Sequence, residues 1–235
     1  MTSPNAIIDR LDWTDIAAQL DIEGHVVLPG LLSATAARAL ASRAQSTDSS
    51  HGEPLACADL GRGELFYLNA DLPAPLEVWR AAFYRKLVLV ANRWNEILGI
   101  RSRYPDELED FLQRNQKAGQ AQAQSCLIRL GTEDYMPLHQ RSAGEQVFPM
   151  QVVALLSEPS TDFLGGEFVM TEQRPRMQSR PMVLPLKCGD AAIISTAERP
   201  FKGTKGYYRV NSKHAISRVR RGGRVGLELT FHNAP

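Results

Sequence analysis

The chain is short of the residues that stabilise secreted and membrane proteins. It has three cysteines in 235 residues, Cys57, Cys126 and Cys188, and none of them forms a C-x-x-C pair. An odd number of widely spaced cysteines favours buried free thiols over a disulfide framework. No window reaches eighteen uninterrupted apolar residues, so the sequence predicts no membrane-spanning helix and no membrane partner.

The first ten residues, MTSPNAIIDR, also lack the basic and then apolar pattern of a signal peptide. We therefore expect a cytoplasmic protein. An apolar share of 43% is that of an ordinary globular protein, and 235 residues suit one large domain over the whole chain, 1–235.

Net charge is only +1, but the basic residues are unevenly distributed. Residues 171–224 contain thirteen Lys or Arg against three acids. A cluster of this kind can follow the phosphate backbone of a nucleic acid. It can equally be a solvated face, because no helix-turn-helix, zinc-finger or RNP-like pattern accompanies it. The sequence leaves both interpretations open.

Residues 1–120 are predicted to be mainly helical. Apolar side chains recur at three- and four-residue steps in several segments, and Ser33, Pro75 and Gly99 stand at positions typical of helix ends. The predicted helices cover residues 14–20, 33–44, 75–99 and 106–117, with one strand at 25–28.

The pattern changes after Gln124 to short β-type runs separated by Gly, Pro and charged turns. Eight such runs after a helical block predict an α+β fold, in which a double-stranded β-helix, or jelly roll, spans residues 121–235 and an N-terminal helical layer, 1–120, packs on it. The runs are 126–130, 151–156, 167–171, 182–186, 191–195, 207–210, 214–219 and 225–231.

Two histidines and one arginine in this half suggest chemistry: His139 in MPLHQR, His214 in NSKHAISRV, and Arg224 ten residues further on. An open, oxygen-activating iron site is held by two histidines and one carboxylate. Residues two apart on a strand point the same way, so an H-x-D pair can bind one ion. Here the residue two after His139 is Arg141, which offers only hydrogen-bond donors and cannot ligate a metal.

Four segments support a specific resemblance. They read LIRLGTEDYMPLHQR, FPMQVVALLSEP, FLGGEFVMTEQRPRMQSR and GTKGYYRVNSKHAISRVRRGGR. They resemble a bacterial family of uncharacterised Fe(II)/2-oxoglutarate-dependent oxygenases related to prolyl 4-hydroxylases and associated with oxidative repair of damaged nucleic acid. The N-terminal stretch LDWTDIAAQLDIEGHVVLPGLL is similar to the same family.

The resemblance implies Fe(II) and 2-oxoglutarate as cofactors. It makes His139 the first iron ligand, His214 the distal ligand, and Arg224 the group that binds the far carboxylate of 2-oxoglutarate. A planar guanidinium suits bidentate binding of a carboxylate. The implied reaction is hydroxylation or oxidative demethylation of an unknown substrate, such as a modified base extruded from its strand.

The chain departs from the family at two positions. Arg141 stands where the family has the ligand Asp, and Leu130 follows Arg129 where relatives have an Arg-Tyr pair. An arginine beside a metal ion repels it by about 4 kcal/mol at an effective dielectric constant of about 20. Both departures therefore remove polar support from the expected site.

Several ways of completing the site stay open. Glu133, Asp134 or Glu145 could supply the missing carboxylate after a loop rearrangement, or Arg141 could turn outward and leave two histidines with water or an anion. A different class of function is a catalytically inactive module that uses the basic region and Arg224 to bind an anionic ligand or nucleic acid.

Overall fold

A computed structural model describes residues 4–44, 52–68 and 72–235. These residues contain five α-helices, none of which combines the length and hydrophobicity needed to cross a membrane. The helices are α1 (Pro4–Asp9), α2 (Trp13–Glu23), α3 (Ala34–Arg43), α4 (Leu76–Ile97) and α5 (Leu108–Lys117), and a short 3-10 turn covers Leu55–Ala58.

Local hydrogen bonds explain where the first helices begin. The Asp12 side chain accepts from the backbone N–H groups of Thr14 and Asp15 at the start of α2, and Ser33 accepts from Ala36 at the start of α3. Such caps satisfy N–H groups that have no partner inside the helix. The prediction of a helix after Ser33 is confirmed.

The long helix α4 supplies most of the helical contribution to the core. Trp79, Phe83, Leu87 and Trp94 recur at helical spacing and are buried, as the sequence predicts. Burying one such side chain stabilises the fold by about 1.5–3 kcal/mol relative to leaving it exposed. The helix is thereby fixed against the sheet that carries part of the site.

Fourteen strands lie within the described residues, and their ladders are antiparallel. A seven-stranded sheet has the order β1-β10-β6-β14-β4-β3-β2, a five-stranded sheet contains β11-β12-β8-β9 with β5 pairing to β12, and β13 pairs with β7. The strands are β1 (His25–Leu28), β2 (Glu53–Pro54), β3 (Glu64–Tyr67), β4 (Cys126–Leu130), β5 (Met136–His139), β6 (Met150–Leu155), β7 (Phe163–Gly165), β8 (Phe168–Gln173), β9 (Arg180–Leu184), β10 (Ala191–Ser195), β11 (Glu198–Gly203), β12 (Gly206–Ile216), β13 (Val219–Gly222) and β14 (Arg224–Leu229).

Alternation along the strands gives the seven-stranded sheet two buried faces. Val225, Leu227 and Leu229 of β14 join the apolar cluster that includes α4. Val153 of β6 belongs to a second cluster shared with Met170 of the five-stranded sheet. The helices therefore cover one face, and the other face forms a core between the two sheets.

The structure corrects several predicted strands. The runs 207–210 and 214–219 are not separate strands, because residues Gly206–Ile216 form one continuous strand, β12, and β13 begins at Val219. The polar segment between the two runs continues β12 with Ser212 turned inward and its neighbours exposed. Strands β2, β3, β5, β7 and β11, and β13 beyond Val219, were not predicted. All of them except β3 contain Pro or Gly, which weakens a β signal.

Strands from the first 120 residues also enter the large sheet. Strand β1, which was predicted, pairs with β10, and β3 pairs with β4. The predicted helical character of residues 1–120 is thus incomplete.

The thiols are only partly as predicted. All three cysteines are free, and Cys126 is buried, but Cys57 is exposed and Cys188 is half-buried. Cys57 lies in the surface 3-10 turn.

Candidate metal centre

The two predicted histidines lie side by side between the sheets. Antiparallel pairing of β12 with β5 places His214 directly opposite His139, and their ring centroids are 4.2 Å apart. His214 is almost completely buried, with 1% of its surface exposed. The five-stranded side of the molecule thus presents two imidazoles to the interior.

A carboxylate from the opposite sheet completes this cluster. Glu228 on β14 is 2% exposed, and its Oε1 lies 3.3 Å from Nε2 of His214. Ligand atoms of His139, His214 and Glu228 all lie within 4.8 Å of one another. Sequence reasoning missed Glu228, although the alternation of the predicted strand 225–231 puts it on the same face as Arg224.

Arg141 points inward and pairs with this carboxylate. Its Nε donates to Oε2 of Glu228 at 2.8 Å, and only 7% of its side chain is exposed. The outward rotation considered from the sequence is therefore not what the structure shows. The expected repulsion between Arg141 and a metal ion is offset, because Glu228 neutralises the guanidinium.

The carboxylates near His139 in sequence are engaged elsewhere. Glu133 pairs with Arg218 at 3.0 Å, and Asp134 lies 3.6 Å from Arg62. Glu145 is exposed and accepts a hydrogen bond from its neighbour Gln146. Within the described residues none of the three joins the histidine cluster.

The Arg141–Glu228 pair stays ionised inside the protein. Burial by itself favours the neutral carboxyl, but Arg141 and the hydrogen bond with His214 hold the pKa of Glu228 well below its usual range. Burial likewise disfavours the charged guanidinium, but the Glu228 carboxylate raises the pKa of Arg141 above its ordinary value. The site therefore contains a carboxylate, not a neutral carboxyl, next to two imidazoles, and its charge is balanced by Arg141.

His139 is oriented as a neutral ligand. Its Nδ1 lies 3.0 Å from the carbonyl oxygen of Pro137, which can only accept, so Nδ1 carries the proton. Its buried Nε2 has no hydrogen-bond partner within the described residues. Burial, with a contribution from His214, lowers the pKa of His139 to about 4. An unshared nitrogen lone pair is thus available in the cluster.

Gln151 on β6 is a second residue that sequence reasoning missed. It is completely buried, and its Nε2 lies 3.2 Å from Nε2 of His214. Its Oε1 and the Nδ1 of His214 find no partner in the described part of the chain. A run of apolar residues in β6 conceals this single inward-facing amide, so periodicity alone does not mark it as functional.

Arg224 begins strand β14 and is 2% exposed. Its Nε donates to the carbonyl oxygen of Gly166 at 2.8 Å, while Nη1 has no partner among the described residues. Burial lowers the pKa of Arg224 to about 10. Leu130, its Cα partner on β4, is fully buried in the apolar core and offers no hydroxyl. A buried guanidinium with an unused donor fits an anionic ligand.

The space between Arg224 and Glu228 is narrow. A cavity of about 10 Å³ lies beside both residues and is bordered by apolar side chains of the core, among them Ile128, Val153 and Phe168. This volume holds about one water molecule. A five-carbon dicarboxylate therefore requires the surrounding side chains to move apart.

The donor set fits a divalent metal ion. Two imidazoles and a carboxylate are the ligands typical of open, oxygen-activating Fe(II) sites. The unpartnered Nε2 of His139 and the close approach of His214 to Glu228 agree with such an ion. The unused Nη1 of Arg224 likewise fits a carboxylate co-substrate.

Comparison with solved structures identifies the fold. A prolyl-4-hydroxylase from Pseudomonas putida has a TM-score of 0.56 at 13% identity, over 95% of this chain and 100% of that one. A 2OG-Fe(II) oxygenase family oxidoreductase from Burkholderia pseudomallei has a TM-score of 0.53 at 19% identity, over 96% and 93%. The chain therefore has the mixed helical and mostly antiparallel fold of the 2-oxoglutarate/Fe(II) oxygenases.

Sequence comparison gives the family. A family model described as "Oxygenase, catalysing oxidative methylation of damaged DNA" matches residues 63–234. Two uncharacterized proteins of Mycobacterium tuberculosis, from strains CDC 1551 / Oshkosh and H37Rv, are each 40% identical over 166 residues, which is 69% of this chain and 71% of theirs. The chain belongs to this oxygenase family, which confirms the resemblance found in its sequence. It is a 2OG-Fe(II) oxygenase-type protein, and the family implies Fe(II) and 2-oxoglutarate as its cofactors.

Proposed function

We propose that this oxygenase binds Fe(II) through His139 and His214 and binds the far carboxylate of 2-oxoglutarate through Arg224. The main support is the pairing of the two imidazoles, whose ring centroids are 4.2 Å apart between the sheets. When bound, iron and 2-oxoglutarate would supply the oxidation of a substrate C–H bond by O2, in which one oxygen atom enters the substrate and the other enters the succinate formed as 2-oxoglutarate loses carbon dioxide. The chain's own residues position and shield these groups.

The histidines are held in place by their surroundings. The Pro137 carbonyl fixes the proton of His139 on Nδ1 and so directs Nε2 into the site. Phe168 stacks on the His214 ring at 5.7 Å between centroids and 14° between planes. This packing restrains the imidazole and excludes water from one of its faces.

Arg224 is suited to a carboxylate because its guanidinium is buried and partly unpaired. Arg224 and Glu228 lie on the same face of β14, with their Cα atoms about 13 Å apart. The anchor and the cluster are thus on one rigid element. A co-substrate lying along β14 between them would satisfy Nη1 of Arg224.

We also propose that the two facing sheets are a double-stranded β-helix and that residues 1–235 form one domain. The buried cluster shared by β4 and β6 of the seven-stranded sheet and β8 and β12 of the five-stranded sheet supports the two-sheet arrangement. Pairing of β1 with β10 and of β3 with β4 supports a single domain, because N-terminal strands complete the C-terminal sheet.

The substrate we propose is damaged nucleic acid, oxidised by hydroxylation or oxidative demethylation. The family description supports this substrate class. Exposed basic side chains of β11, β12 and the turn between them, such as Lys202, Lys205 and Lys213, could follow a phosphate backbone. Lys213 directly precedes His214 on β12, and its side chain lies on the opposite, exposed face of that strand.

A second candidate is a catalytically inactive module that binds an anion or nucleic acid. One observation favours it: Glu228 is already neutralised by the guanidinium of Arg141 at 2.8 Å. In this alternative the arginine stands in for the metal cation, and Arg224 binds an anion without turnover.

Succinate formation separates the two candidates. The protein is purified anaerobically, supplied with Fe(II), 2-oxoglutarate and oxygen, and compared with the His214→Ala variant. The oxygenase proposal predicts succinate release by the wild type well above that of the variant. Equal, background-level release by both proteins, with the fold intact by circular dichroism, would reject it.

A further inference from the structure

We infer that Glu228 is the third protein ligand of the metal, binding through Oε1, and that Arg141 orients it by holding Oε2. This inference rests on the proposed function, because it concerns the same ion as His139 and His214. It assigns a ligand outside the H-x-D pattern and gives Arg141 a positioning role.

The first argument is the spacing of the donor atoms. Two ligand atoms that are each about 2.1 Å from one ion lie about 3 to 3.4 Å apart when the angle between them is 90° to 109°. Nε2 of His214 and Oε1 of Glu228 are 3.3 Å apart. One ring nitrogen of His139 belongs to the same set, all within 4.8 Å, and the Nε2 of His139 has no hydrogen-bond partner among the described residues.

The second argument is that the two carboxylate oxygens of Glu228 have different partners. A carboxylate accepts at both oxygens, and Arg141 occupies Oε2 of Glu228 at 2.8 Å. Oε1 is left facing His214. Ligating carboxylates are commonly held by a hydrogen bond to their other oxygen, which fixes their direction. Arg141 supplies this bond.

The third argument is chemical balance across the sheets. The loop after β5 has the basic residue Arg141 at the position where the H-x-D pattern has an acid. The acidic residue of this site, Glu228, lies instead on the facing strand β14. Both side chains are buried, and a buried charge without an opposite charge beside it is strongly destabilising. A carboxylate therefore remains next to both histidines, although the sequence position two after His139 no longer provides it.

Metal binding tests the inference directly. Anaerobic Co(II) titration, followed by its absorption bands and by the rise in Tm, is run on the wild type and on Glu228→Gln. We expect Glu228→Gln to weaken Co(II) binding by about 100-fold or more, beyond the 10- to 100-fold typical for loss of an outer partner. Binding of the same strength in both proteins would overturn the inference.

Glu172→Gln is the matched control. Glu172 is also buried and also pairs with arginines, Arg199 and Arg174, but it lies outside the histidine cluster. Both variants break a buried ion pair, so both lose stability. Only Glu228→Gln is expected to lose Co(II) affinity, and equal losses of affinity in the two variants would reject a ligand role.

A rescue variant keeps the test valid if Glu228→Gln folds poorly. Arg141→Asp combined with Glu228→Gln restores the H-x-D pattern and removes the unpaired charge. We expect the double variant to recover Co(II) binding that Glu228→Gln has lost. If wild type, Glu228→Gln and the double variant all fail to bind Co(II), the proposed metal site itself is wrong. If the wild type binds and Glu228→Gln binds equally, only the role of Glu228 is wrong.

Discussion

A single ion pair decides the character of this site. Arg141 and Glu228 are both buried, and the Nε of Arg141 donates to Oε2 of Glu228 at 2.8 Å. Each charge therefore offsets the cost of burying the other away from water. Seen alone in the sequence, Arg141 argues against metal binding. Seen with Glu228, it becomes a support for a carboxylate that faces two histidines.

The pair makes a stability prediction at the residue scale. Arg141→Met leaves Glu228 buried without its guanidinium partner, and we expect it to lower the free energy of unfolding by about 3–5 kcal/mol. The double variant Arg141→Met with Glu228→Met removes both charges and should lose much less stability. Chemical denaturation of the metal-free proteins measures both values. Similar losses in the single and double variants would contradict the buried pair.

Strand β14 is the element that joins the parts of the site. Its inward face presents Arg224, Gly226 and Glu228 in succession, while its outward face packs on the helical layer. Gly166 lies across from it with φ +64°, and a Cβ there would lie 2.9 Å from Cδ of Arg224. Gly166 and Gly226 therefore leave room for the buried side chain of Arg224.

Gly226→Ala tests this element. Its Cβ would lie 2.9 Å from Nη1 of Arg224, so the guanidinium must shift. Displacing one charge-assisted hydrogen bond of about 1.5–3 kcal/mol corresponds to roughly a 10- to 150-fold rise in KM for 2-oxoglutarate. Succinate formation at varied 2-oxoglutarate concentration measures it. An unchanged KM in a folded variant would mean that Arg224 does not bind the co-substrate.

Element boundaries also show what the sequence could not supply. Capping residues and apolar periodicity gave α2, α3, α4 and α5, because those signals are local. The pairing of β5 with β12 was not predicted, since MPLH is too short and contains a proline. That pairing is what places His139 beside His214.

Acid stability is a property of the whole molecule. His232 is fully buried, its Nδ1 accepts from the backbone N–H of Phe148, and burial, together with the charge of Arg80, lowers its pKa to about 4. The unfolded chain binds the proton near pH 6.5, so stability is complete above that pH and falls as pH drops from about 6.5 to 4. We expect the protonation of His232 to lower the free energy of unfolding by about 3 kcal/mol between pH 6.5 and pH 4.

Urea denaturation of the metal-free protein at several pH values measures this loss. His232→Asn keeps an acceptor near the Phe148 N–H but does not titrate in this range. The variant should therefore show a shallower decline in stability between pH 6.5 and 4. Parallel curves for the two proteins would count against the buried neutral imidazole.

Nucleic acid binding is also a prediction for the whole molecule, because it depends on summed surface charge. If the exposed basic residues around β12 contact phosphates, affinity for single-stranded DNA should fall at least tenfold between 50 and 200 mM salt. Lys213→Glu should weaken binding at low salt, whereas Lys117→Glu, on the helical layer, should not. Fluorescence anisotropy measures both. Salt-independent affinity would exclude this partner.

The sequence by itself determined the family, four of the five described α-helices, most of the strands, and the two histidines and Arg224 as candidates. These follow from local periodicity, capping and motif residues, which act over a few positions. Only the tertiary structure brought Glu228, Gln151 and Arg141 to the histidines. These residues come from different strands and a loop, with Glu228 87 positions after Arg141 in the chain. Their meeting depends on how two sheets face each other across a shared core.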